Sequence, residues 1–241
     1  MTIHGRLFEQ FAEQQTREPF SLQNSKMLKV QVGAGPVWAK AGSMVAYQGD
    51  IRLSNKGSGG IGKIFKKAVT GEGVSLMLCE GNGDLFLAED AADVQILYLE
   101  NDQISVNGRS ILAFTHGIDW DIHRVQARGA VMTGDLYNVS LRGSGFVALL
   151  TKGEPVALDV GGSPTFADGQ AVVMWTAGVR MDVKVDTGGL GSMLRGGTGE
   201  TFQLAFTGQG YVVVQPYEHR PTPSGGSGGG GGGLLGDLLS D

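Results

Sequence analysis

Cysteine is nearly absent from this sequence: Cys79 is the one thiol in 241 residues. One thiol closes no internal disulfide, so the fold must be held by its own core, and a reducing, cytoplasmic setting is expected. Basic charge is also scarce. Lys and Arg number 19 against 24 Asp and Glu, a formal net charge of −5. The broad basic footprint that nucleic-acid binding demands is therefore missing, and no nucleic-acid partner is expected. No apolar run approaches the roughly 18 residues of a membrane-spanning helix. The first fifteen residues carry Glu9 and Glu13 and no long apolar stretch, unlike a secretory signal.

What the chain has in abundance is glycine, 41 residues, six of them consecutive at 228–233. Outside that tail the glycines punctuate short apolar runs, as in an all-β chain with many turns. A chain of this length buries roughly 70% of its unfolded surface, enough for a sizeable core.

Three segments align with one another. The first runs from Gly71-Glu72 through Leu76 to Gly81-Asn82-Gly83 and Leu85-Phe86-Leu87. The second runs from Gly134-Asp135 through Val139 and Leu141 to Gly143-Ser144-Gly145 and Phe146-Val147-Ala148-Leu149. The third runs from Gly199-Glu200 through Leu204 and Phe206 to Gly208-Gln209-Gly210 and Tyr211-Val212-Val213-Val214. Each reads as a hairpin, strand to Gly-x-Gly turn to strand, because glycine supplies the positive φ of a tight reversal.

A second element recurs: Thr115-His116-Gly117-Ile118 matches Thr176-Ala177-Gly178-Val179, with Lys40-Ala41-Gly42-Ser43 a looser copy. Each follows an apolar run, Val37-Trp38-Ala39, Ile111 to Phe114 or Val172 to Trp175. Asn107-Gly108-Arg109 matches Asp168-Gly169-Gln170 as a turn before a strand. Gly59 to Lys66 parallels Gly188 to Arg195, whereas the middle unit has the shorter Gln126 to Thr133.

A period of about 60 to 75 residues is too long for a solenoid rung. We expect three divergent β-repeats, about 21–88, 89–149 and 150–216, closing into one pseudo-threefold β-sandwich or prism over 21–216. Residues 1–20 form an N-terminal extension with a short helix, since Leu7, Phe8 and Phe11 fall at near-helical spacing. Residues 217–241 form a disordered Pro/Gly-rich linker ending in a leucine motif.

Candidate chemistry is sparse. Gly57 to Ile64 nearly spells a phosphate-binding loop, but Ile64 stands where the Mg²⁺-binding hydroxyl belongs, so a turn-rich connection is expected. Asp119, Asp121 and His123 share one strand face, with His116 nearby, a pattern with metal-ligand character. The third unit has Arg180, Asp182 and Lys184 at matching places, which marks a solvated face. Cys79 has no local histidine signature for nucleophilic catalysis and reads as an inert strand residue. Gly143-Ser144-Gly145 has the wrong spacing for a nucleophile elbow. No catalytic residue, metal or cofactor is therefore expected.

Two segments suggest contact with something else. Lys63, Phe65, Lys66 and Lys67 make a basic-apolar loop suited to an anionic membrane surface. Leu234, Leu235, Leu238 and Leu239 would line one face of a short helix on a flexible tether, a candidate docking peptide.

The marks Ala41-Gly42-Ser43-Met44-Val45, Thr70-Gly71-Glu72-Gly73, Gly81-x-Gly83 and Val106-x-Gly108, with the closing Phe206-Thr207-Gly208-Gln209-Gly210-Tyr211-Val212-Val213-Val214-Gln215, resemble a known family. It is the altered-inheritance-of-mitochondria proteins numbered twenty-four, which have many bacterial members. The resemblance covers about residues 22 to 216. It implies a threefold β-fold grouped with tryptophan RNA-binding attenuator protein-like folds, and, for mitochondrial members, a link to inner-membrane organisation. It carries no catalytic residues. The tail and Lys152-Gly153-Glu154-Pro155 depart from the family pattern.

The expectation is a non-enzymatic scaffold or protein-interaction module that binds a protein partner or a second copy. The alternatives are a peripheral protein at the inner face of a membrane, using residues 61–67, and a binder of a small ligand or carbohydrate.

Overall fold

The computed structural model describes residues 3–54, 74–124, 137–185 and 202–217. The basic-apolar loop with Lys63, Phe65, Lys66 and Lys67, the glycine-rich stretches 57–64 and 188–195, and the leucine motif Leu234, Leu235, Leu238 and Leu239 lie outside the described residues. Among the described residues the chain is all-β apart from one short helix, α1 (Arg6–Gln10), and a single 3-10 turn at Val32–Ala34.

The strands in chain order are β1 (Phe20–Asn24), β2 (Met27–Gln31), β3 (Val37–Lys40), β4 (Met44–Ser54), β5 (Leu76–Leu87), β6 (Asp93–Asn107), β7 (Ile111–Thr115) and β8 (Asp119–Arg124). There follow β9 (Tyr137–Thr151), β10 (Val156–Asp159), β11 (Thr165–Ala167), β12 (Val172–Thr176), β13 (Val179–Val185), β14 (Phe202–Gly208) and β15 (Tyr211–Val214). Among the described residues β11, β14 and β13 form a three-stranded sheet, and the other twelve strands join in one sheet. The strand pairs are antiparallel, as in β1–β2, β6–β9 and β13–β14.

The three apolar runs of the sequence become β3, β7 and β12. They lack polar alternation because both of their faces are covered, so each successive residue is buried. Phe114 is fully buried and packs edge-on to Trp120, which packs in turn against Trp38. In the third unit Trp175 meets Phe206. Among the described residues these rings anchor two of three buried clusters; the remaining cluster, which includes Leu28, Val30, Leu85 and Leu87, is mostly aliphatic, with Phe20 stacked on Phe146.

The Gly-x-Gly motifs are not hairpin turns, which corrects the sequence reading. Gly81-Asn82-Gly83 lies inside the continuous strand β5 and Gly143-Ser144-Gly145 inside β9, while Gly208-Gln209-Gly210 joins β14 to β15. All six glycines have positive φ. That φ bends a strand here and does not reverse it. In β5 the bend also brings two backbones together: a Cβ on Gly83 would stand 2.0 Å from the Gln48 carbonyl oxygen on β4.

The bend lets one strand serve two sets of neighbours. The first part of β9 pairs with β8 and the second part with β7, while β6 follows β9 on both sides of the bend. Likewise β14 lies between β11 and β13, and β15 between β10 and β12. The first unit differs. There β4 follows β5 along its length, β3 pairs with the first part and β2 with the second.

Bending a strand displaces a backbone N–H from its ladder. In two units a threonine hydroxyl accepts it: Phe146 N–H donates to Thr115 Oγ1 and Tyr211 N–H to Thr176 Oγ1, each at 3.0 Å. The glycine just before makes room, because a Cβ on Gly145 or Gly210 would meet that same threonine at 2.9 or 2.1 Å. Lys40 occupies the corresponding place in the first unit, which bends with a different strand order.

The N-terminal chain straps the outer face of the first unit. Lys29 on β2 points away from the apolar core yet is only 1% exposed. Its ammonium bonds Glu13 at 2.6 Å, Asp84 at 3.0 Å and the Gln14 carbonyl at 3.2 Å. Burial pulls its pKa down, but the bonds to Glu13 and Asp84 outweigh this and hold it above its ordinary value. The same bond to Lys29 holds the Glu13 carboxyl below its ordinary value, against a smaller opposing effect of burial.

Two predictions follow from the bends and the strap. Thr115→Val leaves the part-buried Phe146 N–H without its acceptor and should cost about 1 kcal/mol by urea denaturation; an unchanged midpoint would show that water replaces the hydroxyl. Because Glu13 is lowered in the folded chain, its contribution is present above its ordinary pKa of 4.5 and fades as pH falls through the folded value. The stability gap between wild type and Glu13→Gln should therefore be widest above pH 4.5 and shrink below it, as thermal melts across pH would record.

Candidate functional site

Asp119, Asp121 and His123 alternate along β8 and are exposed. The His123 imidazole lies 3.6 Å from Asp121, and His116 sits apart, stacked on Trp38. Among the described residues no group of three or more His, Cys, Asp or Glu side chains is close enough to hold a metal. Cys79 is fully buried between β3 and β4, and burial pushes its thiol up to about 12. Such a thiol is neutral at physiological pH and a poor nucleophile.

The chemistry that does converge was not singled out in the sequence. A cleft of about 310 Å³ opens where the chain leaves β3, β5, β6, β9 and β15 and where it enters β12. The β6–β7 turn, closed by Ser110 N–H to the Asn107 carbonyl at 2.8 Å, contributes Asn107, Arg109 and Ser110. The matching turn before β12, closed by Ala171 N–H to the Asp168 carbonyl at 3.0 Å, contributes Gln170. The chain after β5 contributes Glu89 and Asp90, in a turn where Asp90 and Ala91 both take positive φ. Lys152 follows β9, and Gln215 and Tyr217 follow β15.

Much of this polar wall is a frame. The buried Asn107 carboxamide donates to the Val172 carbonyl at 3.1 Å and the Gly169 carbonyl at 3.3 Å, and accepts from Arg109 N–H at 3.1 Å. Gln215 accepts from Lys152 N–H at 2.8 Å, and its own N–H donates to the Ala171 carbonyl at 2.9 Å. The Asn107 bonds tie the β6–β7 turn to the chain entering β12, and the Gln215 bonds tie the end of β15 to the chain after β9 and to the turn before β12. The Arg109 guanidinium donates to Gln170 Oε1 across the same junction.

The charged groups fall into pairs with one remainder. Lys40 bonds Glu89 at 2.6 Å, and Lys152 stands 4.0 Å from Asp90 and 5.8 Å from the centre of the Tyr217 ring. Arg109 meets no carboxylate among the described residues.

The sequence held a signal for this site. Asn107-Gly108-Arg109 aligns with Asp168-Gly169-Gln170, and the aligned third residues, Arg109 and Gln170, touch. The other wall residues carry no motif, because each comes from a different strand end.

Frame and lining should separate by mutation. Asn107→Ala leaves two carbonyls and one N–H unpaired and should cost about 1–3 kcal/mol, whereas Arg109→Ala on the exposed rim should shift stability by no more than about 0.5 kcal/mol. Paired urea titrations decide between this and a uniform effect.

The all-β architecture recurs in a solved structure. The crystal structure of protein SPYM3_0169 from Streptococcus pyogenes superposes with a TM-score of 0.64 at 22% identity, covering 83% of this chain and 92% of that one. At that identity the likeness speaks for the fold alone. No curated protein matches the chain. The family described as mitochondrial biogenesis AIM24 matches residues 20–217, which include every strand described above and the whole cleft, and the chain belongs to that family.

Proposed function

We propose that the chain is a non-enzymatic scaffold module, a stiff β-frame that presents surfaces to a protein partner or a second copy. We also propose that its three units are divergent copies about a pseudo-threefold axis, as in tryptophan RNA-binding attenuator protein-like folds. The second and third units support this by sharing one pairing scheme and one threonine acceptor. The first unit has drifted in strand order.

The observation that carries the scaffold reading is the N-terminal arm. Ile3, Leu7, Phe8 and Phe11 are 49–67% exposed on and beside α1, and none is buried against the body. Four large apolar side chains on a short arm are costly to leave in water, and such clusters mark contact surfaces. Removing apolar surface from water stabilises a contact by about 25 cal/mol per Å². The non-enzymatic part of the reading is supported by the buried thiol of Cys79, by the open face of Asp119, Asp121 and His123, and by the ion pairing of Glu89 with Lys40.

In-cell cross-linking with mass spectrometry tests the reading. A reproducible cross-linked partner should be lost when Leu7, Phe8 and Phe11 are changed to Ser, or when residues 222–241 with their leucine motif are removed. Partners unchanged in both variants would overturn it. Flotation of the purified chain on anionic vesicles, abolished by Lys63→Glu, Lys66→Glu and Lys67→Glu, would put a membrane surface in place of the protein partner.

A further inference from the structure

The cleft between the second and third units holds two groups that the frame leaves unused. The first is the Ser110 hydroxyl. Ser110 is only 4% exposed and lines the cleft. Its N–H and carbonyl are spent on the Asn107 carbonyl and the Leu150 N–H, yet its hydroxyl has no partner among the described residues. Among the described residues the enclosed side-chain oxygen without a partner is Ser54 Oγ, so the Ser110 hydroxyl meets solvent at the cleft wall, where a ligand can reach it. The second is Arg109. The Gln170 carboxamide orients its guanidinium from one side, and its remaining N–H groups have no carboxylate to meet among the described residues. A held guanidinium presents a planar fork that suits a carboxylate bidentately.

The charge balance narrows the ligand. Among the described residues the wall carries three cations, Lys40, Arg109 and Lys152, and two carboxylates, Glu89 and Asp90, a surplus of one positive charge. A monoanion matches that surplus. A dianion such as phosphate meets the field of two nearby carboxylates, and a neutral ligand leaves the surplus unanswered. Glu89 and Asp90, with the Ser110 hydroxyl, also offer acceptors for ligand hydroxyls. The volume is at the small end of ligand sites.

We infer that this cleft binds a small polyhydroxylated monocarboxylate of sugar-acid type, with its carboxylate on Arg109 and a hydroxyl on Ser110. This goes beyond the scaffold reading and does not depend on which partner the frame carries.

Calorimetric titration of the purified full-length chain tests it, with sodium glucuronate, sodium gluconate, glucose and inorganic phosphate as probes. One or both sugar acids should bind, with glucose weaker by about tenfold or more, the size of one charge-assisted hydrogen bond. Arg109→Gln should weaken the acid by a similar factor at unchanged melting temperature, and Ser110→Ala should weaken it less. Added salt should lower the affinity. Failure of both acids to bind overturns the inference. So does glucose binding as tightly as the acids, phosphate binding more tightly than either, or Arg109→Gln binding as wild type does.

Discussion

A strand that must hydrogen-bond to different neighbours along its length has to turn without leaving polar groups stranded. β5 and β9 do this within one continuous strand, and β14 and β15 do it across the two-residue joint Gln209-Gly210. The glycines give the backbone angle, and in two units the threonine hydroxyl replaces the ladder partner that the turn removes. The rest of the architecture depends on this. It lets β7 and β12 lie with both faces covered while β8 and β13 stay at the periphery. Without the bend the same strands would make a flat sheet with one wet face, and the apolar runs would have no second layer to bury them.

The strap solves a different problem. The outer face of the first unit would expose Lys29 and Phe86 side by side, since the ammonium lies 5.7 Å from the centre of that ring. Glu13 and Gln14 reach the ammonium, and side-chain carboxamides hold this stretch: Gln14 and Gln23 bond reciprocally at 3.0 and 3.1 Å, and Gln31 reaches the Thr16 carbonyl. A lysine so enclosed cannot stay charged without partners, and two carboxylates supply them. The arm that projects beyond this strap is therefore anchored at its base, and its exposed apolar side chains start from a fixed point on the body.

Several of these features could be read in the sequence, and others could not, for physical reasons. The runs Val37 to Ala39, Ile111 to Phe114 and Val172 to Trp175 read as short strands beside glycine turns, whereas the cover on both of their faces is visible only in the packed fold. The turns at Asn107 and Asp168 were equally legible from their side chains. The Gly-x-Gly motifs were located correctly and misassigned, because positive φ is common to reversals and to bends. Only the partner strand, with the Gln48 carbonyl pressed against Gly83, distinguishes them. The burial of Lys29 was invisible because its cover comes from residues 12–18, whose own pattern is that of a polar loop. The cleft was invisible because its walls come from separate strand ends, and only the alignment of Arg109 with Gln170 hinted at it.

The staple from Asn107 to the chain entering β12 has a bearing on how the molecule comes into being. The outer edge of β6 at Ile104 to Val106 is satisfied by Met174 to Thr176 of β12, which emerge from the ribosome roughly 70 residues later, a delay of several seconds at ordinary rates of synthesis. Until then a nascent chain carries an unpaired, apolar strand edge of the kind that recruits stray β-segments. The third unit thus acts as a cap for the first two, and a ribosome stalled before it would release a sticky intermediate in place of a smaller working protein.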